Sequence, residues 1–433
     1  MFRYYIELAA QQIRLHPWLS VLITCQLAVG VAAFVATTQL HMAMARDPLP
    51  GKSEHTIHVQ LDPRNSRYAL DGIEPPPALT LRDAERLANL IPDTRETHTV
   101  GGTLKVLPAA SGQSPFFTDA RAVTKDFFAM FDVTFASGRP WGGDEDRRGE
   151  RVAVISSAMA NRLFADGNAL GKLIQTQFGD YKVVGVESNW NPLPRFYDLG
   201  HKNTYTSEDQ IFLPFSAVPH VDNGSWGDVD CWESEVDFTH LANQPCYWVQ
   251  EWLQSPTLTE AQVTQRLVAF SEQERAEGRY QLAPNVRARN VTSWLSFNRA
   301  VPREVALEGW LAWVFFAVCL VNTMALLVAK FSRMSANLAL RRALGASGKH
   351  VIGQLTVEAA AYGLLGGLLG AALSGPTAAI IRYQDLNYGN VGHSTTLLAL
   401  TAFLVAVAGA VLAAVVPVWR NVQQSIHTQI KQR

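Results

Sequence analysis

The chain has 433 residues, of which 48% are hydrophobic and only 17% charged, against about 25% charged in ordinary soluble proteins. Its 37 Lys and Arg against 38 Asp and Glu leave a formal net charge of −1, which excludes the basic signature of a nucleic-acid binder. The apolar residues are not spread evenly but gathered into four blocks.

Residues 1–17 come first, and Phe2, Tyr5, Ile6, Ala9 and Ile13 fall near one helical face. The pattern predicts a helix lying in a membrane interface on the cytoplasmic side. The first uncharged block, 18–40, runs from Trp18 to Leu40. A small-x-small triplet, Ala43-Met44-Ala45, follows it, as at a signal-peptide cleavage site. The block is longer than the 7–15 residues of a typical signal core, so it reads as a retained transmembrane anchor.

Residues 41–308 read as a soluble α+β domain. Strand-like runs are "HTIHVQL" (55–61), "RVAVIS" (151–156), "YKVVGVE" (181–187) and "DQIFLPF" (209–215). Two helices open on capping-box-like pairs, Thr80 with Asp83 and Thr257 with Glu260, and Pro92 and Gly278 supply their stops. "EPPPA" (74–78) and "GRPWGGDEDRRGE" (138–150) read as loops.

Three further blocks follow: 309–329, 351–381 (uninterrupted from Ala359 to Ile381) and 394–419. Each approaches or exceeds the roughly 20 apolar residues that a bilayer requires. The fold class expected is therefore an α-helical membrane protein with four transmembrane helices and a large extracytoplasmic α+β domain. Lys330, Arg333, Arg341, Arg342 and Lys349 crowd the 330–350 segment with no acid among them, and the tail 420–433 carries Arg420, Lys431 and Arg433. The external loop 382–393 has only Arg382. By the positive-inside rule both termini and the 330–350 segment are cytoplasmic, and residues 41–308 face outward.

Few chemical motifs survive inspection. Eleven histidines form no H-x-x-x-H, H-E-x-x-H or C-x-x-C pattern, and His55 and His58 read as surface residues on opposite faces of one strand. No nucleophile elbow or triad signature occurs. Cys25 and Cys319 lie in apolar blocks and read as small packing residues. Cys231 and Cys246 lie in the outward region, where an oxidising compartment would pair them; two free thiols are the alternative. Glu358, at a span end, reads as a snorkelling carboxylate, and Asn322 as an interhelical hydrogen-bonding residue. Gly363, Gly367 and Gly370, three or four residues apart, read as one helical face, with Gly363 and Gly367 forming a G-x-x-x-G.

The stretches "RRALGAS" (341–347) and "VIGQLTVEAAAYGLLGGLLG" (351–370) resemble the signature of the MacB/FtsX superfamily of ABC transporter permeases: a basic helix, a short turn, then a glutamate leading into a glycine-rich span. "VTKDFFAMFDVTFASGRPW" (123–141) and "RVAVISSAMANRLFADGNALGKLI" (151–174) are similar to segments of its MacB-like periplasmic core domain. The resemblance covers most of the chain in order. It departs at Asn337, where the family commonly has Glu, and at the C-terminus, where "SIHTQIKQR" replaces the usual ending.

The resemblance implies the transmembrane subunit of an ABC transporter in a bacterial inner membrane, transmitting motion rather than forming a substrate pore. Export or efflux is the leading expectation; an FtsX-like signalling subunit and a lipoprotein-releasing permease are the alternatives. A membrane-anchored enzyme lacks a catalytic constellation. No phosphate-cradling G-x-x-x-x-G-K-[ST] is present: "GASGKH" (345–350) has the first glycine too close and His350 in place of Ser/Thr. The chain is thus expected to carry no cofactor and no enzyme activity, ATP and Mg being held by a partner ATPase dimer. A second permease copy or homologue, a periplasmic adaptor and the lipid bilayer complete the partners implied, with no nucleic acid. The coupling residues expected are Leu338, Leu340, Ala343 and Leu344 for apolar contacts and Arg341 and Arg342 for charge, with Gly345 and Gly348 forming the turn.

Overall fold

A computed structural model describes residues 2–67, 74–87, 91, 94–108, 114–164, 167–188, 190–199, 205, 209–217, 227–233, 235–237, 241, 244–301, 303–334, 338, 340–342, 344–384 and 396–423. Ala343, Asn337 and Pro92, the loop from 385 to 393 and the tail from 424 lie outside the described residues. The chain divides into two compact units, residues 46–300 and a helical unit of residues 1–45 with 301–433. Helices α1 (Phe2–Leu15) and α2 (Pro17–Met44) precede the first of these. Helices α3 (Leu81–Leu87), α4 (Phe127–Met130), α5 (Gly143–Arg147), α6 (Ser157–Leu163), α7 (Glu260–Ala276) and α8 (Val291–Phe297) lie within it. Helices α9 (Arg303–Arg333), α10 (Gly348–Gln384) and α11 (Thr396–Gln423) follow it.

In residues 46–300, strands β1 (Thr56–Leu61), β2 (Arg95–Leu107), β3 (Phe116–Val123), β4 (Phe135–Gly138), β5 (Val152–Ser156), β6 (Leu173–Thr176), β7 (Gly179–Glu187) and β8 (Ile211–Pro214) come before a two-stranded ribbon of β9 (Asp230–Cys231) and β10 (Cys246–Tyr247). Strands β11 (Gln250–Gln254) and β12 (Val286–Asn290) complete a ten-stranded sheet ordered β12-β1-β11-β2-β3-β8-β5-β7-β4, with β6 joining β2 and β7. The β3–β8 and β5–β7 pairs are parallel and the rest antiparallel.

Both faces of this sheet are covered. Ile57, Val59 and Leu61 of β1 pack with Ala84 and Leu87 of α3 and with Val263, Leu267 and Phe270 of α7. The opposite face meets an aromatic cluster that includes Phe127, Phe131, Phe196, Trp252 and Trp294. His58 therefore does not lie at the surface. Helix α8 covers its face of β1, and the ring sits 4.1 Å from that of Trp294 and 4.9 Å from that of Trp252. Burial, helped by Arg289, lowers its pKa to about 3, so it is neutral. His55 is exposed.

Thr80 caps α3 as its spacing implies, its hydroxyl accepting from the Asp83 N–H at 3.0 Å. Helix α7 is capped differently from expectation. Thr259, not Thr257, is the N-cap, in a reciprocal capping box with Gln262. Thr257 instead meets the Ser255 hydroxyl at 3.2 Å. Cys231 and Cys246 stand directly opposite each other in the β9–β10 ribbon and form a disulfide, Cα to Cα 4.0 Å.

In the helical unit, α2 packs on α9, α10 and α11, α11 packs on α9 and α10, and α1 lies along α10. Helices α9 and α10 are thus held on two sides of an α2–α11 pair. Three stretches are long and apolar enough to cross a membrane: Pro17–Met44, Leu307–Arg333 and Gly348–Ile380. In α11 the described apolar stretch, Phe403–Val415, is shorter than a span needs. The outward faces are apolar, with Leu22, Val29, Val314, Val318, Leu368 and Leu404 all exposed. So much exposed apolar surface needs lipid or a partner to cover it. Trp18 near the start of α2 and Trp310 near the start of α9 are both exposed, as suits aromatic residues at a membrane interface.

The glycines of α10 do not share one face. A Cβ on Gly363 would lie 2.8 Å from Val407 Cα, and one on Gly367 3.0 Å from the Phe403 ring, both in α11. Gly370, by contrast, faces α2, where a Cβ would lie 2.6 Å from Val31 Cβ, and Gly366 faces Leu27 at the same distance. The i, i+4 spacing separates two pairs, 363 with 367 and 366 with 370, one for each neighbouring helix. Cys319 is buried, but Cys25 is exposed on the apolar exterior instead of packing inside. Asn322 likewise lies on the exposed side of α9, turned away from the neighbouring helices.

Candidate functional site

The basic segment between α9 and α10 is a helical hairpin. Beyond Arg333 the helical hydrogen bonds continue, Met334 N–H to Lys330 C=O and Leu338 N–H to Met334 C=O. Leu327, Phe331, Met334 and Leu338, spaced four, three and four apart, form a buried stripe. Leu338 is therefore only 3% exposed, packed in the bundle's own core and not free for an outside contact. Leu340 and Leu344, 59% and 80% exposed, stand free at the tip.

The tip ends in a Schellman turn. The Gly345 N–H donates to Arg342 C=O at 3.1 Å and the Ala346 N–H to Arg341 C=O at 3.0 Å, with Gly345 at φ +104°. Only glycine takes that conformation cheaply. Gly348 has no such role: it is the first residue of α10, two residues after the turn's last donor. Ser347 precedes it, its carbonyl accepting from His350 N–H at 3.0 Å and its hydroxyl meeting the His350 ring at 2.6 Å. Arg341 reaches across the hairpin, an Nη1–H donating to Gln354 Oε1 at 3.2 Å.

At the hairpin's base is a cluster that sequence reasoning missed. Glu358 does not snorkel, and Lys330 is not a surface topology charge. Both are buried, Lys330 Nζ lying 2.5 Å from Glu358 Oε1. Lys330 Nζ also donates to the Tyr362 hydroxyl, which shares a 2.9 Å hydrogen bond with Ser20 of α2. One signal was available. Lys330 is three residues after Leu327 and four before Met334, so it shares their inward face, and Tyr362 is one turn beyond Glu358.

The α+β domain carries further buried ionic groups. Arg121 donates to Asp209 at 2.8 Å and Asp198 at 2.5 Å, and Arg195 approaches Asp209 at 2.6 Å. Burial alone would raise the Asp209 pKa, but the two guanidiniums hold it well below the usual carboxylate range. His98 Nδ1 of β2 is hydrogen-bonded to Glu251 of the neighbouring β11. Burial pushes Glu251 up to about 7, against the pull of His98. Burial opposes charge on His98, yet Glu251 beside it raises the ring's pKa. Among the described residues no group of three or more His, Cys, Asp or Glu could hold a metal ion.

The family model described as MacB-like periplasmic core domain matches residues 20–237, and that described as FtsX-like permease C-terminal matches residues 310–426. An uncharacterized ABC transporter permease, YvrN of Bacillus subtilis, is 21% identical over 84% of this chain and 85% of its own length. The macrolide export ATP-binding/permease proteins MacB of Bdellovibrio bacteriovorus and of Azoarcus are 24% and 23% identical over 63% and 72% of this chain. The chain spans only 39% and 44% of those two longer proteins. Among solved structures, the periplasmic region of MacB from Actinobacillus actinomycetemcomitans aligns with 58% of this chain and 96% of its own, at 13% identity and a TM-score of 0.37. The extracellular domain of the transporter YknZ from Gram-positive bacteria aligns with 53% of this chain and 98% of its own, at 15% identity and a TM-score of 0.35. With the core-domain match alone taking in half of its residues, the chain belongs to the MacB-like, FtsX-type family of ABC transporter permeases.

Proposed function

We propose that this permease docks a separate ABC ATPase dimer on the tip of the α9–α10 hairpin and carries its ATP-driven motion to residues 46–300, for export. The observation that carries this reading is the pairing of exposed Leu340 and Leu344 with Arg341 and Arg342 on a helical tip closed by Gly345. Two apolar side chains standing free beside two guanidiniums suit a groove with an acidic rim. In this reading α11 is a fourth span, both termini and the hairpin tip are cytoplasmic, and the α+β domain lies in the periplasm of an inner-membrane complex. Two permeases, identical or homologous, face the two ATPase subunits, which bind the ATP and Mg, and a periplasmic adaptor engages the outer domain. The exposed faces of the spans are apolar and the buried charges Lys330 and Glu358 pair with each other, which supports transmission of motion rather than a hydrophilic channel.

The test is Leu344→Asp in the full chain, co-expressed with its ATPase. Insertion should be normal, while co-purification of the ATPase falls at least tenfold. Unchanged co-purification and turnover would remove the tip from the interface.

A further inference from the structure

We infer that Lys330 and Glu358, with Tyr362 and Ser20, are positioning residues: a buried polar rung that makes the two helices of the hairpin and α2 move as one body. The inference rests on the coupling reading above and assigns the residues through which it acts.

The geometry carries it. Helices α9 and α10 are each packed on α2 and α11, which lie between them. The Lys330–Glu358 pair bridges α9 and α10 through the bundle interior, and the Tyr362–Ser20 hydrogen bond ties in α2. A second rung, Arg341 to Gln354, lies nearer the tip, and the Gly345 turn closes the hairpin beyond it. A push on Leu340 or Leu344 thus meets a ladder, whose base holds Lys330 near the end of α9 and Ser20 near the start of α2, each at the end of its helix farther along the chain from residues 46–300. Counted at 1.5 Å per residue, Lys330 is about 40 Å of helix from the start of α9 at Arg303.

An apolar interior would hold helices at this contact at less cost. A charge inside a span is expensive, and a buried ion pair is a weak source of stability compared with apolar residues of similar size. What the pair offers is direction. The Lys330 ammonium sits between the Glu358 carboxylate and the Tyr362 hydroxyl, so sliding the two helix ends past each other by a fraction of a turn would pull opposite charges apart in a buried setting, where that costs most. Apolar contacts tolerate such sliding.

The experiment uses the full chain in nanodiscs with its ATPase bound and spin labels on an exposed site of the outer domain, Asp180→Cys, in both permease copies. Wild type should show an ATP-dependent change in inter-label distance. The double variant Lys330→Met with Glu358→Gln removes both charges together, leaving no unpaired ion. It should bind ATPase and hydrolyse ATP at close to the wild-type basal rate, yet lose more than half of the distance change. Amide exchange at 344–350 should quicken at least tenfold while that of α11 stays fixed, which a general loss of stability would not produce. The exchanged pair, Lys330→Glu with Glu358→Lys, should restore the distance change. A double variant with an intact distance change and unaltered exchange overturns the inference. If the double variant fails to insert, Lys330→Arg decides: the planar guanidinium keeps the charge but not the three-way contact, and an undiminished distance change overturns the inference. Absence of any ATP-dependent change in wild type would instead sink the coupling reading itself, and the rung with it.

Discussion

Gly363 faces Val407 so closely that a Cβ on the glycine would lie 2.8 Å from the Val407 Cα and 3.0 Å from the Ala410 Cβ. Backbone cannot retreat as a flexible side chain can. Gly363→Val should therefore separate α10 from α11 and cost about 1–3 kcal/mol, the usual range for overpacking. Gly309→Ala, where nothing lies within 4 Å, should be neutral or slightly stabilising. Thermal inactivation of the two variants in detergent checks this, and equal losses would refute the close-approach argument.

The strands with clean apolar runs were legible in the sequence: β1, β5 and β8 lie within the stretches marked for them, and β7 covers its stretch but begins two residues earlier, at Gly179. The long central strand β2 was not, because "HTVGGTLK" is broken by two glycines. Its register explains them in part. Gly101 stands opposite Arg121, and a Cβ there would lie 2.7 Å from the Arg121 guanidinium. The residue that hides the strand is the one that admits the buried arginine. Lys330 and Glu358 were each visible, but 28 positions apart, and only the fold of the hairpin makes them partners. The tip was easier because its chemistry is local: a basic run followed by glycine. The same local reading misplaced Leu338, whose partners Phe331, Met334 and Val351 lie on both sides of the turn.

The Cys231–Cys246 bridge closes a loop of 15 residues. Chain-entropy arguments give such a closure about 3 kcal/mol. Alkylation of the unreduced full chain, followed by intact-mass analysis, should label Cys25 and Cys319 under denaturing conditions and leave Cys231 and Cys246 unmodified. Labelling of all four would mean that no bridge forms.

Purified without a partner, the chain should neither bind nor hydrolyse ATP, since it lacks a G-x-x-x-x-G-K-[ST] cradle. Equilibrium dialysis with Mg-ATP should show no retention above the nanodisc blank, and turnover should begin only when an ABC ATPase is added. Micromolar binding to the lone chain would overturn this.

The His98–Glu251 pair makes the stability of residues 46–300 depend on pH. Burial raises Glu251 from its ordinary 4.5 to about 7, so the folded chain holds a proton there that the unfolded chain has released. Stability must then fall as the pH rises from about 4.5 to 7, by at most about 3 kcal/mol at 1.36 kcal/mol per pKa unit. His98 acts in the same direction. Its raised pKa gives stability that is fully present below 6.5 and lost as the pH climbs through the folded value. His58 opposes both, because its pKa of about 3 means that stability is lost as the pH falls below 6.5, where the unfolded ring takes up a proton that the buried ring refuses. The wild-type profile blends these slopes, so the variants must be read as differences. His98→Gln with Glu251→Gln, relative to wild type, should gain thermal stability steadily from pH 5 to pH 8. His58→Phe should gain it in the reverse sense, most at pH 5 and least at pH 8. Melting of the full chain, followed by tryptophan fluorescence at each pH, checks both. A difference for the double variant that stays flat with pH would show that the pair does not titrate between pH 5 and pH 8.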